Sequence, residues 1–151
     1  MTRPIIWISL LKVMDNLTVE QRKKNMSNIR STNTEPERLV FKELRKRKVY
    51  FTKNAKDIMG RPDIVFKRKR IAVFIDSDFW HGHPKRFQMP KTNTEYWKKK
   101  ISDNKERDKR VTRSLREKDW RVIRIWEHEI RSDLESCIAR ILNEVSKSPV
   151  A

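Results

Sequence analysis

Two short apolar runs, Ile64 to Phe66 and Ile71 to Ile75, flank the polar stretch Lys67 to Arg70, and this arrangement more than any other dictates the centre of the fold. β-Branched runs bounded by turn signals read as strands, and the polar gap between them reads as a hairpin turn. Gly60-Arg61-Pro62 punctuates the chain just before the first run, and Val49 to Lys53 reads as a preceding strand. A three-stranded meander is expected.

Helices are expected on both sides of it. Thr18 followed by Gln21 is a capping-box pair that opens a basic helix reaching about Ile29, and Thr34 with Glu37 and Pro36 opens another. The apolar face of that second helix is Val40, Phe41 and Leu44, and helical spacing puts Glu37 on the same face. From Thr94 a long helix carries Trp97, Ile101, Val111 and Leu115 in one stripe that also contains Asn104 and Asp108. Trp120 to Trp126 is nearly continuous in apolar and aromatic residues, broken by Arg121 and Arg124, which suits a strand covered on both faces. A box from Ser132 to Glu135 is expected to start a last helix with Leu134, Ile138, Ile141 and Val145. The order α, α, β, β, β, α, β, α predicts an α/β fold, a restriction-endonuclease-like three-layer sandwich with a mixed central sheet flanked by helices.

The chain has 151 residues, 36% of them hydrophobic, which allows one domain with one modest core. Residues 17–146 read as that domain, 1–16 as an extension that is either an upstream start or a disordered arm, and 147–151 as a tail. Lys and Arg total 37 against 20 Asp and Glu, a formal net charge of +17, and the basic residues are interleaved with apolar ones rather than run together. That balance implies a polyanionic partner, nucleic acid first, with affinity that falls steeply as salt rises. The single cysteine, Cys137, excludes a disulfide framework and a four-cysteine zinc site, and points to a cytoplasmic protein. The apolar run Ile5 to Leu11 is too short to span a bilayer, so no membrane partner is expected.

Acidic residues on so basic a chain need a reason. Asp63 stands just before one strand of the hairpin and Asp76 ends the next, so strand pairing is expected to bring them together. Converging carboxylates favour a cation, and oxygen ligands of this kind suit Mg²⁺, which can polarise a phosphoryl oxygen and acidify water. Glu37 is placed to act from the helix side, and His81 beyond the second strand as a general base or a hydrogen-bond partner of the phosphate. Singly, each has an ordinary explanation: a turn former, a strand-end cap, a capping-box glutamate, a loop histidine. Together they form a candidate site.

The series Gly60-Arg61-Pro62-Asp63, Phe79-Trp80-His81, Asn93-Thr94-Glu95-Tyr96-Trp97, Asn104, Arg107-Asp108 and Trp126-Glu127 resembles the successive signatures of the very-short-patch repair (Vsr) endonucleases, from about Gln21 to Ile141. The resemblance implies a magnesium-dependent enzyme that nicks one strand of duplex DNA beside a thymine mispaired with guanine. It makes Asp63 the metal-bridging aspartate, Ile75 a main-chain metal ligand, His81 the catalytic histidine and Glu37 the acid that positions a water of the metal. It also assigns Phe79, Trp80 and Trp97 as aromatic wedges in the base stack and Met26 and Ile29 as apolar residues entering from the opposite groove, with Arg61 and Asn104 among the DNA-binding positions. Unstacking costs least at a mismatch, which gives selectivity. Trp120 and Trp126 are assigned to the core.

Two departures from the family pattern stand out. The family commonly holds a structural zinc beside the aromatic pair; here Asp78, His83 and His128 occupy that region, with Lys85 or Arg86 where a further ligand would fall. Either water completes a zinc site, or zinc is lost and hydrogen bonds or a charge pair replace it; the second is the favoured reading. Asp76 stands where some members use histidine, which makes the site more like that of ordinary restriction nucleases. The alternatives to a repair nickase are therefore a restriction or homing-type endonuclease that cuts matched duplex, and a non-catalytic basic DNA-binding module. A monomer acting on double-stranded DNA, without a small-molecule cofactor, is expected.

Overall fold

A computed structural model describes residues 18, 20–21 and 33–147. Helix α1 spans Glu35–Lys46. Strands β1 (Thr52–Lys53), β2 (Ile64–Phe66) and β3 (Ile71–Asp76) follow, then the long helix α2 (Thr94–Glu117), strand β4 (Arg121–Trp126) and helices α3 (Glu127–Ser132) and α4 (Leu134–Ser146).

The strands lie in the order β1-β2-β3-β4. β1, β2 and β3 run antiparallel, with Ile64 opposite Val73. β4 joins β3 in parallel, so that Phe74 faces Arg124 and Asp76 faces Trp126. The expected meander and mixed sheet are therefore present. Lys67–Lys69 forms a 3-10 turn closed by Arg70 in the left-handed region, φ 52°.

Alternation along the strands sorts side chains between two layers. Ile71, Val73, Ile123 and Ile125 point to one face, where Val40, Phe41 and Leu44 of α1 and Cys137, Ile138 and Ile141 of α4 complete the main core. Ala72 and Phe74 point to the other, against Leu115 of α2 with Val111, Trp120 and Val122 around them. Emptying the middle of the main core, as in Leu44→Ala, would cost about 2–5 kcal/mol.

The helix caps follow the expected boxes at two starts and depart from them at the last. Thr18 N donates to Gln21 Oε1 at 3.0 Å and Gln21 N to Thr18 Oγ1 at 3.2 Å, as the first box requires. Thr34 N donates to Glu37 Oε2 at 3.0 Å. The last helix is instead capped by Asp133, whose Oδ1 accepts from Ser136 N, and Ser132 belongs to the short helix before it. Helix α3 was missed because the chain passes from β4 into it without a turn residue, Trp126 N being taken by Glu129 Oε2 at 2.9 Å. The strand expected over Val49 to Lys53 pairs only at Thr52–Lys53; Val49 and Phe51 pack on the core instead. Trp120 is half-buried on the second cluster, and Trp126 lies half-buried with its ring against His83, centroids 4.6 Å apart, so neither belongs to the main core. No helix among the described residues is long and apolar enough to cross a membrane.

Candidate active site

The hairpin carries Asp63 to the end of β3: Asp63 N donates to Val73 O at 3.0 Å, and its side-chain Oδ2 accepts from Ile75 N at 2.6 Å. Just upstream, Gly60 and Arg61 both have positive φ, 80° and 51°, and Arg61 N donates to Ile58 O. A Cβ at Gly60 would collide with Val111, which explains the glycine; the Arg61 side chain is exposed. N–H and C=O of one residue in an extended strand point to the same side. The carbonyl of Ile75 therefore opens towards Asp63.

Glu37 reaches the same place from α1 and is buried, 3% exposed. The capping-box reading of this residue is realised, and its carboxyl also stands beside Asp63. One oxygen caps Thr34, and the carboxyl is hydrogen-bonded to Asp63. Burial first, then the bond and charge of Glu37, then the charge of Asp76, hold the Asp63 carboxyl well above the usual carboxylate range.

Asp76 has different company. Both of its oxygens accept from Arg124 Nη1, at 3.0 and 3.2 Å. The cation that faces Asp76 here is the guanidinium opposite it across the parallel strand pair, and the charge of Asp76 still bears on Asp63. Burial raises the Asp76 carboxyl above its ordinary range, with the neighbouring His81 and Arg124 pulling it back. His81 Nδ1 lies 3.8 Å from Asp76 but 2.5 Å from Asp108 Oδ2. Asp108 was legible only as an inward-facing polar residue on α2, and Arg124 only as an interruption of a strand. Asn104, expected at the DNA, is instead buried with its amide donating to Trp80 O at 2.9 Å, so it fixes the loop that carries His81.

The aromatic residues form one cluster beside this loop. Phe79 and Trp97 are buried, each 5% exposed, and Trp80 is half-buried. Ring centroids are 5.2 Å apart for Phe79 and Trp80, 5.3 Å for Phe79 and Trp97, and 5.8 Å for Trp80 and Trp97. Phe87, not anticipated, joins at 5.5 Å from Phe79. Met26 and Ile29 lie outside the described residues.

Asp78, His83 and His128 do come together. Asp78 Oδ1 pairs with His128 Nδ1 at 2.8 Å and its Oδ2 with Arg86 Nε at 3.2 Å. His83 Nδ1 accepts from the backbone N–H groups of Lys85 and Arg86, both at 3.1 Å, and the two imidazole rings meet edge to face at 4.9 Å. Burial, then the neighbouring His128, lowers the pKa of His83. Among the described residues no group of three or more His, Cys, Asp or Glu side chains is placed to hold a metal ion. Hydrogen bonds and ion pairs connect this region directly. For Mg²⁺ such a group is not required, because the ion keeps several waters and binds through one or two carboxylates. The crowded negative charge at Asp63 and the carbonyl of Ile75 suit a hard cation.

Comparison with known proteins decides the affiliation. The model of the family described as DNA mismatch endonuclease Vsr matches residues 14–86. The type II nicking enzyme V.XorIIP of Xanthomonas oryzae pv. oryzae is 40% identical over 135 residues, 89% of this chain and 98% of that protein. The chain belongs to the Vsr family. Other relatives include the type II nicking enzyme V.NmeDIP of Neisseria meningitidis serogroup C, 37% identical over 134 residues, 87% of this chain and 90% of that protein. The DNA mismatch endonuclease Vsr of Escherichia coli is 37% identical over 111 residues, 73% of this chain and 71% of that protein. This Vsr-family protein is accordingly a DNA endonuclease with the restriction-endonuclease-like α/β fold expected from its sequence. The family match takes in Asp63, Asp76 and His81, whereas Asp108 and Arg124 lie beyond it.

Proposed function

We propose that this enzyme nicks one strand of duplex DNA beside a T:G mismatch, with Mg²⁺ as cofactor. The observation that carries the reading is the convergence of Asp63, Glu37 and the His81–Asp108 pair at the end of β3, next to an aromatic cluster that includes Phe79, Trp80 and Trp97. A relative named as a DNA mismatch endonuclease and others named as nicking enzymes support it.

Asp63 and the carbonyl of Ile75 would hold the cation, with Glu37 ordering the water around it. When bound, Mg²⁺ supplies positive charge at the phosphoryl oxygen and acidifies water. Asp108 holds His81 by Nδ1, which leaves Nε2 as the ring nitrogen to take a proton from the attacking water or to meet the phosphate. Water forms the new P–O bond as the bond to the leaving sugar oxygen breaks. The exposed Arg61 would contact a phosphate near Asp63. Phe79, Trp80 and Trp97 would enter the base stack, aided by Met26 and Ile29; since Phe79 and Trp97 are buried against each other, entry requires the cluster to open. A T:G pair, already poorly stacked, lowers the cost on the DNA side.

The test is Mg²⁺-dependent cleavage of two oligonucleotide duplexes that differ only in one T:G mismatch, with Asp63→Ala as control. Nicking of one strand of the mismatched duplex alone is expected. Cutting of matched duplex on both strands would move the function to a restriction or homing role, and no cutting with or without Mn²⁺ would sink the nuclease reading for this substrate.

A further inference from the structure

All three nitrogens of the Arg124 guanidinium are engaged. Nε donates to Thr112 Oγ1 at 2.9 Å, Nη1 to both oxygens of Asp76, and Nη2 to the main-chain carbonyl of Asp108 at 3.3 Å. The plane also rests on Phe74, its cross-strand neighbour, with 4.2 Å from Cζ to the ring centroid. A planar, five-donor fork is the one side chain that can make such a set.

These contacts bracket His81. Two carboxylates lie near its Nδ1, Asp108 at 2.5 Å and Asp76 at 3.8 Å, and only one can take the hydrogen bond. Asp76 stands just beyond hydrogen-bond distance, and its oxygens face Arg124. We infer that Arg124 is a positioning residue: by occupying both oxygens of Asp76 it leaves Asp108 as the sole partner of His81 Nδ1 and so fixes the direction in which Nε2 points. The same guanidinium holds the main chain of Asp108 in place, so it sets both the chosen partner and the excluded one. Without it, Asp76 would be a buried carboxylate without its cation, 3.8 Å from an imidazole. It would compete with Asp108 for the ring and turn Nε2 away from the scissile phosphate. The inference rests on the proposed role of His81 in strand cleavage, but its geometric content can be read separately.

The experiment compares the native enzyme with Arg124→Met, Asp76→Asn and the double variant. The single-turnover nicking rate on the T:G duplex, DNA affinity without divalent metal and thermal unfolding are measured for each. Arg124→Met is expected to lose about 30-fold or more in rate while DNA affinity changes less than about threefold; in the Asp76→Asn background the same change is expected to cost less than about threefold, because the competing carboxylate has gone. Equal losses in both backgrounds would overturn the inference, as would an unimpaired Arg124→Met. If Arg124→Met does not fold, Arg124→Gln, which is uncharged and shorter but keeps a polar end, takes its place with the same expectations. NMR of the His81 ring gives a readout that needs no activity: one ring orientation with nuclear Overhauser contacts to Asp108 Hβ in the native protein, a mixture with contacts to Asp76 Hβ in Arg124→Met, and the Asp108 contacts alone again in the double variant. Should the native enzyme fail to nick, the functional reading falls, and the ring spectra still decide this inference: an unchanged His81 ring in Arg124→Met would overturn it.

Discussion

His81 Nδ1 sits 2.5 Å from Asp108 Oδ2 although 27 positions separate them, because the loop after β3 folds back onto the inner stripe of α2. Asp108→Asn keeps the size of the partner but removes its charge and adds an amide donor that can favour the other tautomer, so the ring loses the charged acceptor that orients it. A fall of about 10²–10⁴-fold in single-turnover nicking is expected, the range that a positioned acid–base pair contributes. DNA affinity, measured without divalent metal, should stay nearly constant. A rate close to native would mean that His81 does not act through Nε2.

Asp63 makes the metal-free enzyme sensitive to pH. Its folded pKa is raised by burial and by Glu37, so its contribution to stability is complete below the unfolded value and is lost as pH rises through the folded one. Asp63→Asn should therefore be more stable than the native protein in EDTA at neutral pH. A gain of about 1 kcal/mol would raise Tm by roughly 2–4 °C in a domain of this size. The gap should close towards pH 4 and shrink when Mg²⁺ is added to the native protein. Thermal melts at three pH values check it; a gap that does not change with pH would remove the buried-charge account.

Glu37 joins two tasks that a single substitution can part. Glutamine also serves at the third position of a capping box, so Glu37→Gln should keep the start of α1 and unfold within about 1 kcal/mol of native. Cleavage should nevertheless fall, and the Mg²⁺ concentration for half-maximal rate should rise, since the charge beside Asp63 is gone. Glu37→Ala should lose both stability and rate. Identical behaviour of the two variants would reduce Glu37 to a cap.

For zinc, the hydrogen bonds that tie Asp78 to His128 and Arg86, and His83 to the backbone, provide a direct alternative to a metal bridge. Elemental analysis of chelator-washed protein should find no stoichiometric zinc, and chelation should leave Tm unchanged. One zinc per chain would show that the imidazoles rearrange to ligate it.

The layered fold was legible because it follows from local periodicity: Ile64, Ile71 and Ile125 could only be strand residues, and Val40, Phe41 and Leu44 only one face of a helix. Glu37 and Asp63 were legible for the same reason, since an acid on an apolar face or at a strand end is visible in the period itself. Arg124 was not. Its meaning depends on the parallel register that sets it across from Phe74 and beside Asp76, and a register between strands 48 residues apart leaves no mark on either one. The burial of Phe79 and Trp97 against each other was hidden likewise, because it depends on how a loop meets a helix.

Arg61 holds a left-handed backbone, φ 51°, directly after Gly60. That conformation costs a residue with a Cβ about 1 kcal/mol, and glycine would adopt it freely. Adaptation to heat alone would favour glycine here, yet the chain presents a guanidinium two residues before Asp63. If Arg61 contacts a phosphate as proposed, grip and endurance pull this position in opposite directions. A hardier version of the enzyme obtained through Arg61→Gly should bind its substrate less well.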